Sequence, residues 1–195
     1  PCIAEKEIVA VDSIADELMH YMVSEQGCYL ASKEEQDALT NVVLAGGKLN
    51  RKCVGRDAKT LLGMIGVTVP DNIRCITFEG PKEHPLIATE LMMPILGVVR
   101  AKDFDDAVEQ AVWLEHGNRH SAHIHSKNVD RITKYAKAID TAILVKNGPS
   151  YAALGFGGEG FCTFTIASRT GEGLTSASSF TKRRRCVMTD SLCIR

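Results

Sequence analysis

Cysteine and histidine are the residues of this sequence with the most chemistry to offer. Seven cysteines stand at positions 2, 28, 53, 75, 162, 186 and 193, an odd number with no C-x-x-C pair. That spacing argues against a disulfide framework and against a zinc knuckle, and reduced cysteines are mostly small buried hydrophobes unless something singles one out. His116, His120, His123 and His125 fall in one short stretch. His123 and His125 would share a strand face, but a third ligand at metal-site spacing is missing, so no metal is expected. A histidine that carries a proton near neutral pH is the better functional reading. Its structural alternative is C-terminal helix capping by His116 with sheet-surface positions for the rest. Gly155-x-Gly157-x-x-Gly160 formally matches a dinucleotide fingerprint. The match lacks its context, because Phe161 to Ile166 is β-branched and aromatic and offers no helix N-terminus to a pyrophosphate. Close backbone approach in a turn accounts better for these glycines.

The elements that must position these groups change character along the chain. Ser13-x-x-Asp16 reads as a capping box ahead of Ile14, Ala15, Leu18, Met19 and Met22, with Gly27 where a helix would stop. Ser32-x-x-Glu35 opens a second helix through Ala38, Leu39, Val42 and Val43, ended by Gly46-Gly47, and a short third runs from Asp57 to about Met64. From Cys75 the pattern alternates: strand to Glu79, strand Ile95 to Arg100, helix Asp103 to His116, strand Ser121 to His125, helix Asn128 to Ile139, strand Ala142 to Lys146. Such alternation implies an α/β fold with a mainly parallel sheet and ligands beyond the carboxyl ends of its strands. Gly155 to Gly173 is rich in glycine and polar residues, and Cys186 to Ile194 reads as a closing strand after the basic run Lys182-Arg183-Arg184-Arg185, itself a solvated or subunit-facing patch.

A length of 195 residues, 45% of them hydrophobic, suits one domain with a sizeable core. A net charge of -1 gives no footprint for nucleic acid or an anionic membrane. No apolar run approaches the roughly 20 residues that cross a bilayer, and the first residues resemble neither a signal nor a transit peptide, so the expectation is a cytoplasmic protein. The sequence begins without Met, two residues from a candidate thiol, which reads as a fragment.

Several segments together resemble the C-terminal half of the aldehyde dehydrogenase superfamily, specifically the CoA-acylating acetaldehyde and propionaldehyde dehydrogenases of bacterial microcompartments. They are Pro1-Cys2-Ile3-Ala4-Glu5-Lys6-Glu7, Glu90-Leu91-Met92-Met93-Pro94, the stretch from Gly117 through His120 to Ser126, and Gly158 to Ala167, with a similar tail from Thr170 to Val187. The resemblance implies an α/β aldehyde dehydrogenase catalytic domain over residues 1–180, a C-terminal strand over 181–195 for subunit or domain pairing, and an N-terminal dinucleotide-binding domain outside this sequence. It implies a short-chain aldehyde, NAD and coenzyme A as reactants, a homo-oligomer, and shell or cargo partners within a cytoplasmic microcompartment.

By the same resemblance Cys2 is the nucleophile that forms a thioester, and its backbone N–H is an oxyanion donor. Glu90 is the carboxylate for the nicotinamide-side ribose, with Met92 where hydrolytic relatives carry an aromatic. His120 is the residue that assists the CoA thiol, which with a pKa of about 8.5 is mostly protonated at neutral pH. Asn147, His125 and Gly157 are secondary candidates, the last in a loop bordering the substrate entrance. Two other functions remain open at this point: a hydrolytic NAD(P)-dependent aldehyde dehydrogenase sharing Cys2 and Glu90 but lacking the His120 segment, and a non-catalytic assembly piece.

Overall fold

A computed structural model describes residues 2–160, 162–163, 165–166, 174–187 and 189. Its strands fall into two sheets, a four-stranded one and a two-stranded one, and every pairing in both is parallel. Chain order is β1 (Glu7–Val11), α1 (Asp12–Ser24), β2 (Cys28–Leu30), α2 (Lys33–Val43), α3 (Ala58–Gly63), β3 (Cys75–Glu79), α4 (Pro85–Ala88), β4 (Ile95–Ala101), α5 (Phe104–Glu115), β5 (Ser121–Ile124), α6 (Val129–Ile139) and β6 (Ile143–Lys146). The larger sheet runs β1-β4-β3-β2, and β5 pairs with β6.

The first third is therefore not purely helical. β1 and β2 were hidden because both are short and abut helices without a turn signal; Val11 is at once the end of β1 and the N-cap of α1. For the same reason the Ser13-x-x-Asp16 box does not form: α1 already starts at Asp12, with no side-chain cap. The other caps do form. Ser32 and Glu35 make a reciprocal capping box, Asp57 accepts from the Thr60 N–H, Asp103 from Asp106 N–H and Asn128 from Arg131 N–H. Gly27 stands at φ +70°, and a Cβ there would lie 2.6 Å from the Asn72 carbonyl oxygen, so only glycine fits between α1 and β2. The expected closing strand falls mostly outside the described residues, and 182–187 carry no regular structure.

β4 shows how the core is divided. Val99 faces Leu39, Leu61, Leu62, Phe78, Leu86 and Ile87 under α2, α3 and α4, while Val98 faces Ala10, Ala15 and Met22 under α1. Each side chain buried this fully contributes about 1.5–3 kcal/mol. Arg100, near the end of β4, donates to both Glu79 oxygens and to Asp12 and Asp16, tying β3 and α1 to the sheet's carboxyl edge. The smaller sheet has two lined faces: Ala122 and Ile124 pack on Val108, Tyr135 and Ile139 of α5 and α6, and Ile143 and Val145 pack on Ile3, Ala153 and Ile166.

Gly97 gives a test of this packing. A Cβ there would collide with the Ile87 side chain and sit 3.4 Å from the Phe78 ring. Gly97→Ala is expected to lower stability by about 1–3 kcal/mol in urea unfolding, the scale of an overpacked core. Adding Ile87→Val should recover part of the loss, and a neutral Gly97→Ala would contradict the tight seating of α4 on β4.

Candidate functional site

The segment from Cys2 to Glu7 is held by every side chain but two. Cys2 itself is exposed on a turn. Ile3, 1% exposed, is driven into the apolar face of β6 and the 3-10 helix Ser150–Leu154. The Glu5 carboxylate accepts from the backbone N–H of Ser150 at 2.9 Å and from its hydroxyl at 3.2 Å. Lys6 Nζ donates to the Ile87 carbonyl at 2.8 Å and pairs with Glu7 at 2.6 Å. Glu7 is half-buried at the start of β1, and desolvation pushes its carboxyl above the ordinary range; Lys6 and His116 oppose that shift and Glu90 adds to it. Glu7, Glu90 and His116 are thus electrostatic neighbours.

His120 immediately precedes β5. Its Nδ1 lies 3.0 Å from Ser121 Oγ, its N–H donates to Glu115 Oε1, and its carbonyl accepts from Ile143 N–H. Arg119 beside it sits at φ +54° and pairs with Asp140 at the end of α6. His123 points from β5 to the Ile3 and Glu5 side: its Nε2 is 3.9 Å from Glu5 Oε1, buried and without a hydrogen-bond partner, and burial lowers its pKa. His125 and Asn147 follow the other ends of β5 and β6, so at roughly 3.3 Å per residue His120 and His125 stand about 16 Å apart. Asn147, at φ +54°, both accepts from and donates to the Ser126 backbone at 2.8 Å. Among the described residues no three His, Cys, Asp or Glu side chains converge as metal ligands.

Glu90 and Met92 flank the buried Leu91 just ahead of β4, both exposed, with Met92 at φ +54° and its carbonyl accepting from Gly55 N–H. Left-handed backbone at a non-glycine residue costs on the order of 1–3 kcal/mol, and three of the five such positions among the described residues, Met92, Arg119 and Asn147, lie at or beside candidates. Gly157 stands at φ +77° with open space around it, whereas Cβ atoms at Gly155 and Gly158 would lie 2.9 Å and 2.7 Å from the Gly160 and Ala152 carbonyls. Close approach therefore explains most of this loop, as the sequence suggests.

Cys2 and Glu90 precede β1 and β4 of the larger sheet and His120 precedes β5 of the smaller one, so each candidate lies on the amino side of a strand. A depression of about 550 Å³ does lie at the carboxyl ends, lined by Glu79, Lys82, Arg100 and Gln110, and holds none of the candidates. Sequence reading missed Glu5, Lys6 and Ser150, because their partners are carbonyls and N–H groups that leave no trace in residue type.

A model of the aldehyde dehydrogenase family matches residues 73–179, more than half of the sequence. The chain belongs to that family. The acetaldehyde dehydrogenase (acetylating) EutE of Salmonella typhimurium is 45% identical over 97% of this aldehyde dehydrogenase chain, which spans about 42% of that relative's length. The solved propionaldehyde dehydrogenase of the Clostridium phytofermentans fucose utilisation bacterial microcompartment is 82% identical, with a TM-score of 0.93 over 100% of this chain and 45% of that one. That enzyme has also been solved with a cysteine and with a histidine replaced by alanine, and these two are spaced along it as Cys2 and His120 are here. The Rhodopseudomonas palustris propionaldehyde dehydrogenase, solved with bound CoA and an acylated cysteine, is 52% identical, with a TM-score of 0.91 over 96% of this chain and 43% of its own.

Exposure does not by itself single out Cys2, since Cys162 and Cys186 are exposed too. Burial raises the Cys28 thiol and pushes Cys75 up to about 12. Iodoacetamide at pH 8 is expected to modify Cys2, Cys162 and Cys186 in the folded chain and to reach Cys28, Cys53 and Cys75 only after urea is added. Peptide mapping checks this; native labelling of Cys75 at the rate of Cys162 would contradict its place in the sheet.

Proposed function

We propose that the protein containing this chain oxidises a short-chain aldehyde with NAD and coenzyme A to an acyl-CoA, through a thioester on Cys2. The observation that carries the reading is an exposed thiol on a turn whose following residues, Ile3 and Glu5, are anchored, at the same spacing from His120 as the cysteine and histidine replaced in the C. phytofermentans enzyme. The acylated cysteine of the R. palustris enzyme supports the covalent step. Cys2 Sγ attacks the aldehyde carbon, and its backbone N–H serves as a donor to the developing oxyanion. NAD, when bound, supplies the hydride acceptor. Glu90 fits the ribose hydroxyls, being an exposed carboxylate next to a turn fixed by Leu91. With Nδ1 engaged by Ser121, His120 keeps Nε2 as the ring atom that takes the CoA thiol proton. Gly157 belongs to the loop that borders the entrance, and His125 and Asn147, at the far ends of β5 and β6, are secondary candidates.

In this reading residues 1–180 are the thiol-bearing catalytic portion and 181–195 a subunit-pairing segment. The dinucleotide-binding domain belongs to the remaining length found in relatives, the whole enzyme is a homo-oligomer, and its setting is a cytoplasmic microcompartment with shell or cargo partners, as the source of the C. phytofermentans relative suggests. No helix among the described residues is long and apolar enough to cross a membrane.

In the full-length enzyme Cys2→Ala should abolish aldehyde-dependent NAD reduction, and retained activity would remove Cys2 as nucleophile. His120→Ala should slow CoA-dependent turnover by about 10²-fold, the loss expected for a general base. A normal acyl-transfer rate in stopped flow would refute that role. The isolated chain should bind NAD far more weakly than the full-length enzyme, since among the described residues no glycine-rich turn of the dinucleotide-binding kind leads into a helix N-terminus. Calorimetry decides, and micromolar affinity in the isolated chain would relocate the cofactor site.

A further inference from the structure

α4 is one turn long and cannot satisfy its own last carbonyls. Two donors from distant parts of the chain take them: Lys6 Nζ binds Ile87 O at 2.8 Å, and His116 Nε2 binds Ala88 O at 3.0 Å. Basic side chains suit a helix C-terminus both as donors and as partners for its dipole. Their places in the sequence matter more. Lys6 lies on the segment that carries Cys2, His116 is the left-handed C-cap of α5 that opens the loop to His120, and the carbonyls they hold directly precede Thr89 and Glu90. Lys6 in turn pairs with the half-buried Glu7 at the start of β1, so the α4 end is tied to that strand as well.

We propose that Lys6 and His116 are positioning residues that, by sharing the end of α4, hold the Cys2 turn, the His120 loop and Glu90 in one register. The proposal rests on the reading of Glu90 as the ribose-binding carboxylate. Neither Lys6 nor His116 need touch a reactant. Each acts on α4 through a carbonyl: at His116 what matters is a donor of suitable reach, and at Lys6 a cationic donor that also keeps the pair with Glu7.

The full-length enzyme tests this with donor-free and donor-keeping pairs: Lys6→Met against Lys6→Arg, and His116→Phe against His116→Gln. The donor-free variants are expected to raise KM for NAD about tenfold while kcat falls less, and to speed amide hydrogen exchange over residues 85–91. The donor-keeping variants should stay within a few-fold of the parent in both. The exposed His116 keeps the test alive should Lys6→Met fail to fold. Unchanged KM and exchange in the donor-free variants, or equal damage in both members of a pair, would overturn the proposal. Glu90→Gln separates the two layers: if it leaves KM for NAD unchanged, the reading of Glu90 fails and the exchange data alone judge the α4 anchor.

Discussion

Register between β1 and β4 decides where each candidate group can be. Glu7 lies opposite Gly97 and Val9 opposite Val99, so the turn bearing Cys2 emerges at the same edge of the sheet as the Glu90 segment that leads into β4. A slip of one residue would turn Ala10 and Val98 out of the α1 core and invert the whole face. Gly97 is part of this constraint, because its missing side chain lets Ile87 and the short α4 close on β4. The Cys2 turn, α4 and the Glu90 carboxylate are therefore set by one pairing rather than by separate local preferences.

Holding a reactive turn in this way carries an electrostatic cost. Glu7 is half-buried and its Oε2 is met by Lys6 Nζ at 2.6 Å, a cation that is also shared with the Ile87 carbonyl. A buried carboxylate is tolerated when a cation and donors offset its desolvation. The direction of its pKa gives the linkage: with the folded value raised, the contribution of Glu7 to stability is complete below the unfolded value and is lost as pH rises through the folded one. Such an arrangement makes poor sense as a stabiliser and good sense as a device that ties the α4 end to β1 through Lys6. Glu5 differs, because Ser150 satisfies both its oxygens at the edge of the second sheet.

Sequence patterns reported what local chemistry controls. The caps at Ser32, Asp57, Asp103 and Asn128 are legible because the capping side chain and its N–H are neighbours in the chain. His116 was legible as a helix end for the same reason. β1 and β2 were not, since five and three residues give too little alternation to compete with the strong helical period beside them. The Ser13 box misled because β1 delivers the chain to α1 with Val11 already at the cap. In the site, the resemblance of short motifs to the family pointed to Cys2, Glu90 and His120. What fixes them in space, Lys6 on Ile87 O and Glu5 on Ser150, joins positions 81 and 145 residues apart and depends on the completed fold.

The amino-end location of these groups follows from what a covalent route asks of a fold. Carboxyl-end sites in parallel sheets work largely through helix N-termini, which hold phosphates by N–H groups and dipole. Oxyanion stabilisation at a thiol nucleophile asks instead for a rigid backbone N–H beside it, and the acyl product needs protection from water. The first is met within this chain, where Ile3 and Glu5 pin the residues that follow Cys2. The second is not, because Cys2 is exposed and Met92, beside the proposed ribose carboxylate, is 41% exposed. On the proposed reading the cover over this edge comes from the rest of the protein. The thioester is then protected only when a dinucleotide-binding portion is seated against Glu90, which ties acyl-group retention to the same α4 anchor that orients the carboxylate.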